Sequence, residues 1–195
     1  MDGDLDTVSN LVDYHQQFEE ELARRNAQVC TLKKTAEDLI VNGRPNDADD
    51  INSEIADLTN AWENIWNLSN NRSESLAEAQ ERANDLQKAV NDILECLRVT
   101  EMKLQFSGPM PDNAIEVQLA IEEHKKVVTE LFNREKEKEN TLDLARKILA
   151  KAHPKAVSVV KNTITVVHSR WGEVASWAEQ RSDNLQVSIY LYRFN

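Results

Sequence analysis

TNAWENIWNLSNNRSESL, residues 59–76, and SRWGEVASWAEQRSDNL, residues 169–185, both place an arginine ten residues after a tryptophan. The pairs are Trp62 with Arg72 and Trp171 with Arg181. Sliding the chain against itself extends the match. His15 falls on His124, Arg25 on Arg134, Pro45 on Pro154 and Ile55 on Ile164, each pair 109 residues apart. Six pairs at one offset, in the order helix, proline loop, helix, mark a tandem duplication of a helical unit of that length.

Helix breakers are confined to three places: NGRPND (42–47), SGPMPDN (107–113) and HPK (153–155). They leave four segments, roughly 5–42, 47–106, 113–152 and 156–190. In the first segment Leu11, His15, Phe18, Leu22, Arg25, Val29, Leu32, Ala36 and Leu39 follow alternating steps of four and three, which is a coiled-coil seam. In the second the same alternation runs from Ile51 through Ile55, Trp62, Arg72, Leu86, Ile93 and Leu97 to Leu104 without a phase slip. At 1.5 Å per residue that helix spans about 90 Å, too long for one small domain and suited to one shared by two consecutive bundles. Amphipathic helices cover their seams in threes, so each unit is expected to hold helices A, B and C. The predicted fold is all-α: tandem three-helix bundles joined by a continuous helix. The first bundle, residues 1–82, has B and C but no helix A, since the chain begins at Met1. The second, 83–195, has A, B, C and a tail.

Composition agrees with this class. Charged residues make up 29%, apolar ones 41%, and there are only four glycines and four prolines. A net charge of −11 argues against nucleic acid and anionic membrane surfaces as partners, and no apolar run approaches a membrane span. MDGDLDTV at the N-terminus has neither the basic nor the apolar region of a secretory signal. Cys30 and Cys96 lie far apart and outside any CxxC, which suits buried thiols in a reducing compartment better than a disulfide framework.

These residues resemble the spectrin repeat: a three-helix unit of this length, a continuous C-to-A helix, and Trp in helix C with Arg ten residues later. HQQFEEEL (15–22), TAEDLI (35–40) and INSEIADLTNAWENI (51–65) carry the resemblance. EMKLQFSGPMPDN (101–113), followed by HPKAVSVVKNTITVVHSRWGEVASWAEQR (153–181), is similar to the last repeats of the spectraplakins, giant actin–microtubule linkers. In that family the region precedes an EF-hand pair and a microtubule-binding domain. The resemblance implies a cytoplasmic, cytoskeletal rod or spacer that transmits force and positions terminal actin- and microtubule-binding domains. Its partners would be cytoskeletal or adhesion-linked proteins reached through the parent. Two features depart from the family pattern. Cys96 stands where helix A usually has Trp, and NLQVSIYLYRFN (184–195) alternates like a strand at Val187, Ile189 and Leu191, leaving open a continued helix or an alternative tail.

Sharper readings of single residues give way to structural ones. His15 and His124 sit on matching seam positions with no HExxH or comparable ligand spacing, so packing or hydrogen bonding is expected and no metal. Arg72 and Arg181 are charges at core positions, expected to snorkel and to bond another helix; Arg72→Leu should leave the fold intact. NDADDINSE (46–54) lacks the glycine and terminal ligand of a calcium loop and reads as a helix start capped by Asn46 or Asp47. The sequons at Asn67 and Asn71 fall mid-helix. NREKEKEN (133–140) reads as a solvated face, although Lys138 and Thr141 replace apolar seam residues. No phosphate loop or nucleophile–base pattern is visible, so neither an enzyme nor a cofactor is expected.

The predicted structural core is Leu11, His15, Phe18, Leu22, Ile55, Trp62 and Arg72 in the first unit. In the second it is Leu86, Ile93, Leu97, His124, Leu131, Ile164, Trp171 and Arg181. With helix A absent from the first unit, an open apolar groove is expected there, and with it an alternative function: docking a partner helix, or self-association.

Overall fold

The computed structural model describes residues 2–42, 48–108 and 110–194, with the side chains of residues 193 and 194 left out. Among the described residues there are five helices: α1 (Leu5–Asn42), α2 (Ala48–Gln105), α3 (Ala114–Asn133), α4 (Glu135–Ala150) and α5 (Val157–Phe194). The chain divides into two compact units. Leu5–Glu81 belongs to the first; Arg82–Asn195, joined by Asp2–Asp4, makes the second. The 58-residue α2 crosses from one to the other unbroken, as its uninterrupted seam requires.

The second unit holds a contiguous core. Leu86, Val90, Ile93 and Leu97 of α2 pack with Leu131 of α3, Leu142, Ala145 and Ile148 of α4, and Val160, Val167, Trp171 and Val174 of α5. Each fully buried aliphatic side chain contributes about 1.5–3 kcal/mol relative to exposure. Arg170 ties α5 to α2 through Glu101 at 2.7 Å, and Lys103 ties α2 to α3 through Glu130. Helix α3 starts on Asn113, whose side chain accepts from the Glu116 amide at 2.9 Å, so a free first-turn donor is satisfied locally.

The first unit is a pair, α1 against the Ala48–Glu81 part of α2. Its buried side chains Val8, His15, Leu22, Ser69, Leu76 and Ala79 stand at one end of the pair. Toward the other end Leu32 and Leu39 are more than half exposed.

Several expectations change. The segment 113–152 is two helices, because the Arg134 amide donates to the Leu131 carbonyl in a tighter turn and Arg134 itself sits at φ −89°, ψ −1°. NREKEKEN is not solvated throughout: Lys138 is only 8% exposed. Its ammonium lies 4.9 Å from the Trp171 ring centroid and 2.8 Å from Glu139, so a cation fills an apolar seam position by stacking its stem and pairing its head. The tail is helical to Phe194. An alternation of a few residues finds no neighbouring strand among the described residues, whereas continuing α5 satisfies every backbone donor. Cys30 is exposed rather than buried, and Cys96 is half-buried. The caps expected at Asn46 and Asp47 lie outside the described residues.

Candidate functional site

One of the duplicated residues makes the same contact in both units. His15 Nε2 lies 3.0 Å from the Ser69 carbonyl, and His124 Nε2 lies 2.8 Å from the Ala178 carbonyl. Donor and acceptor are 54 residues apart in both cases, so the two units build the same cross-helix bond at equivalent positions. A carbonyl only accepts, so Nε2 carries the proton in each neutral imidazole. Around it, Val8 and Val117, Leu22 and Leu131, and Leu76 and Leu185 are buried at matching positions.

Burial pushes the His124 pKa below its ordinary value of 6.5; the bond to the Ala178 carbonyl opposes this, and the Arg181 guanidinium adds to it. A folded-state pKa below the unfolded one contributes stability that is complete above 6.5 and lost as pH falls through the folded value. Unfolding midpoints measured from pH 7 toward about pH 5 are therefore expected to drop more for the native chain than for His124→Gln, which keeps a donor but does not titrate. Equal drops would remove His124 from the account.

The units differ under the clasp. Ser69 is buried and its hydroxyl makes no hydrogen bond, whereas the equivalent position holds Ala178. Ser69→Ala is expected to stabilise the first unit by about 0.5–1 kcal/mol, read as a rise in the urea midpoint. An unchanged or lower midpoint would mean that the hydroxyl has a partner.

Trp62 is half-buried and its indole N–H donates to Asn26 Oδ1 at 2.9 Å; Trp171 is 6% exposed beneath Lys138. Arg181 is half-buried and donates to the Ser107 carbonyl at 2.9 Å and the Gly108 carbonyl at 3.5 Å. It thus reaches the free carbonyls just past the end of α2, the polarity that suits a cation. Arg181 therefore bonds the turn that follows α2 rather than another helix, and Arg72 is exposed and has no hydrogen-bond or ionic partner among the described residues.

The other expected core residues fall into three groups. His15, Leu22, Leu86, Ile93, Leu97, His124 and Leu131 are buried; Leu11, Ile55 and Ile164 are half-buried. Phe18 is a correction: it is 48% exposed, because the two-helix unit leaves its face of α1 uncovered. It stacks on His15 at 5.9 Å. Trp177 aligns with Leu68 at the common offset, and both are exposed.

Asp2 escaped the sequence reading altogether. It is 3% exposed, its amide donates to the Lys151 carbonyl, its carbonyl accepts from the His153 amide, and its carboxylate pairs with Arg82 at 2.7 Å. A short acidic N-terminus carries no periodicity, so nothing in its composition signals this bridge.

The spectrin repeat profile matches residues 1–78 and 81–187. Human microtubule-actin cross-linking factor 1, isoforms 6/7, a spectraplakin, is 30% identical over 187 residues, which cover 96% of this chain and 5% of that protein. The Drosophila melanogaster spectrin beta chain is 22% identical over 98% of the chain and 8% of its own length. Rat utrophin is 26% identical over 97% of the chain and 6% of its own length. The chain therefore spans a small fraction of these relatives. No helix among the described residues is long and apolar enough to cross a membrane. With both halves matched and the histidine clasp built twice at the same separation, the chain belongs to the spectrin repeat family.

Proposed function

We propose that this chain is a structural spacer segment of a cytoskeletal linker protein. The observation that supports it most is α2, one helix that runs from the first unit into the second. A bend at the unit boundary would have to break hydrogen bonds of a helix anchored on both sides, so load passes from unit to unit through the backbone ladder. In this reading residues 1–82 are helices B and C of one repeat, and 83–195 are helices A, B and C of the next with the tail as continued helix. The duplicated seam around Trp62, His15, Trp171 and His124 bears the load. The relatives carry the names of cytoskeletal cross-linker and spectrin chains, which supports a structural role, a cytoplasmic cytoskeletal location and protein partners reached through a parent.

Spin labels at Glu74 and Asp92, both exposed on α2, test the reading. A helix held straight across the boundary gives a narrow distance distribution centred near about 27 Å. A broad distribution would reject the spacer.

A further inference from the structure

We infer that residues 133–141, the joint between α3 and α4, form a built-in yielding point: this stretch opens to water as a short unit of its own while the rest of the second unit stays folded. The inference stands apart from the spacer role, because it concerns the second unit by itself and its test applies no load.

The backbone supplies the first reason. The Arg134 amide donates to Leu131, three residues back, and Arg134 sits at φ −89°, ψ −1°. Helix α4 then restarts at Glu135 with no side-chain cap. A tightened turn inside a helical run holds its hydrogen bonds in poorer geometry, and an uncapped first turn leaves amide donors to water.

The first unit shows that the repeat does not demand such a joint. Arg25 is the copy of Arg134, and α1 passes through it unbroken from Leu5 to Asn42. Val29 and Leu32 are the copies of Lys138 and Thr141, so two apolar seam positions are polar in the second unit, on the turns that follow the joint. Both are buried, Lys138 at 8% exposure and Thr141 at 5%. Their polar atoms are satisfied within the stretch itself. Lys138 Nζ lies 2.8 Å from Glu139 and 3.6 Å from Glu135, and Thr141 Oγ1 donates to the Glu137 carbonyl at 2.8 Å. These partners travel with the stretch when it opens, and only the Trp171 ring is left behind. Water then solvates an ammonium that burial had partly desolvated, whereas an apolar pair would lose its burial outright.

Packing sets the limits of the opening. On the α2 side a groove of about 770 Å3, lined by Cys96, Thr100, Asn133, Arg134 and Glu137 among others, runs along the joint, which is therefore not close-packed there. Leu131 and Leu142 bound the stretch, and both are buried in the core of the unit. The bond from Arg170 to Glu101 that ties α5 to α2 lies outside it and stays made.

Native-state hydrogen exchange of the full chain, followed residue by residue in rising sub-denaturing urea, tests this. Amides of residues 138–141 are expected to exchange about a hundredfold or more faster than those of residues 167–174 in α5, at a rate that urea barely changes, because the opening exposes little surface. Restoring the residues of the copy, Lys138→Val with Thr141→Leu, should slow exchange at 138–141 by about tenfold or more relative to 167–174. If the double variant does not fold, Thr141→Leu alone is expected to slow it in the same direction, since that position carries no charge to strand. Exchange of 138–141 and 167–174 at one rate with one urea dependence would overturn the inference. So would a folded variant whose 138–141 amides keep their native rate relative to α5, since the polar seam would then not be what lets the joint open.

Discussion

Trp171→Ala is expected to destabilise the second unit by about 3–5 kcal/mol, with Trp62→Ala costing the first about half as much or less. The two tryptophans are copies of one position, so the difference isolates environment from chemistry. Trp171 is 6% exposed and packed within the α2–α3–α4–α5 cluster, so its removal leaves a cavity that a close-packed core cannot collapse. The ring also carries the Lys138 ammonium at 4.9 Å, and its loss leaves a nearly buried cation with Glu135 and Glu139 as its ionic partners among the described residues. Trp62 sits half-buried in a helix pair, with its N–H on Asn26, and gives up less area and one hydrogen bond. Urea unfolding monitored by circular dichroism, with the transition of each unit assigned by its remaining tryptophan fluorescence, measures both. Equal losses at the two sites would mean that the first unit is as well covered as the second.

Glu81→Pro is the second large effect. Glu81 is exposed and lies at the boundary inside α2, so the substitution touches no core contact. Proline there removes the bond to the Ala77 carbonyl and drives its ring into that carbonyl, at a cost of about 3 kcal/mol or more. Glu81→Ala, which keeps the helix, is the control. The expected result is a single broad unfolding transition in the control that separates into two in the proline variant, with the spin-label distribution across the boundary widened. Coincident transitions in both variants would show that the units are not coupled through the helix.

How much of this was legible in the sequence depended on periodicity. The α2 seam, the Trp–Arg pairs and the 109-residue offset are patterns of many residues, and the corresponding helices stand where the breakers placed them. The clasp was half legible: two histidines at matching seam positions pointed to hydrogen bonding, but a backbone acceptor on another helix leaves no side-chain signature. At Lys138 the seam position and the charge give opposite signals, and the tryptophan that makes its burial tolerable lies 33 residues away in sequence. Phe18 shows the opposite case. An apolar seam residue records that a partner face exists somewhere, and in this unit no described helix supplies it. Asp2 acts through its backbone and one carboxylate, and a single residue has no period to detect.

The small residue beneath each histidine has a consequence for alignment. A heptad seam is nearly degenerate, since sliding one helix past another by seven residues again sets apolar groups against apolar groups. The imidazole lifts that degeneracy because it must pass a side chain to touch the backbone, and Ser69 and Ala178 are short enough to let it through. Seven residues to either side the same column holds Trp62 and Leu76 in one unit and Trp171 and Leu185 in the other. A slipped pairing would press the ring against bulk and strand its proton in an apolar layer, so under tension each helix pair has one register to return to.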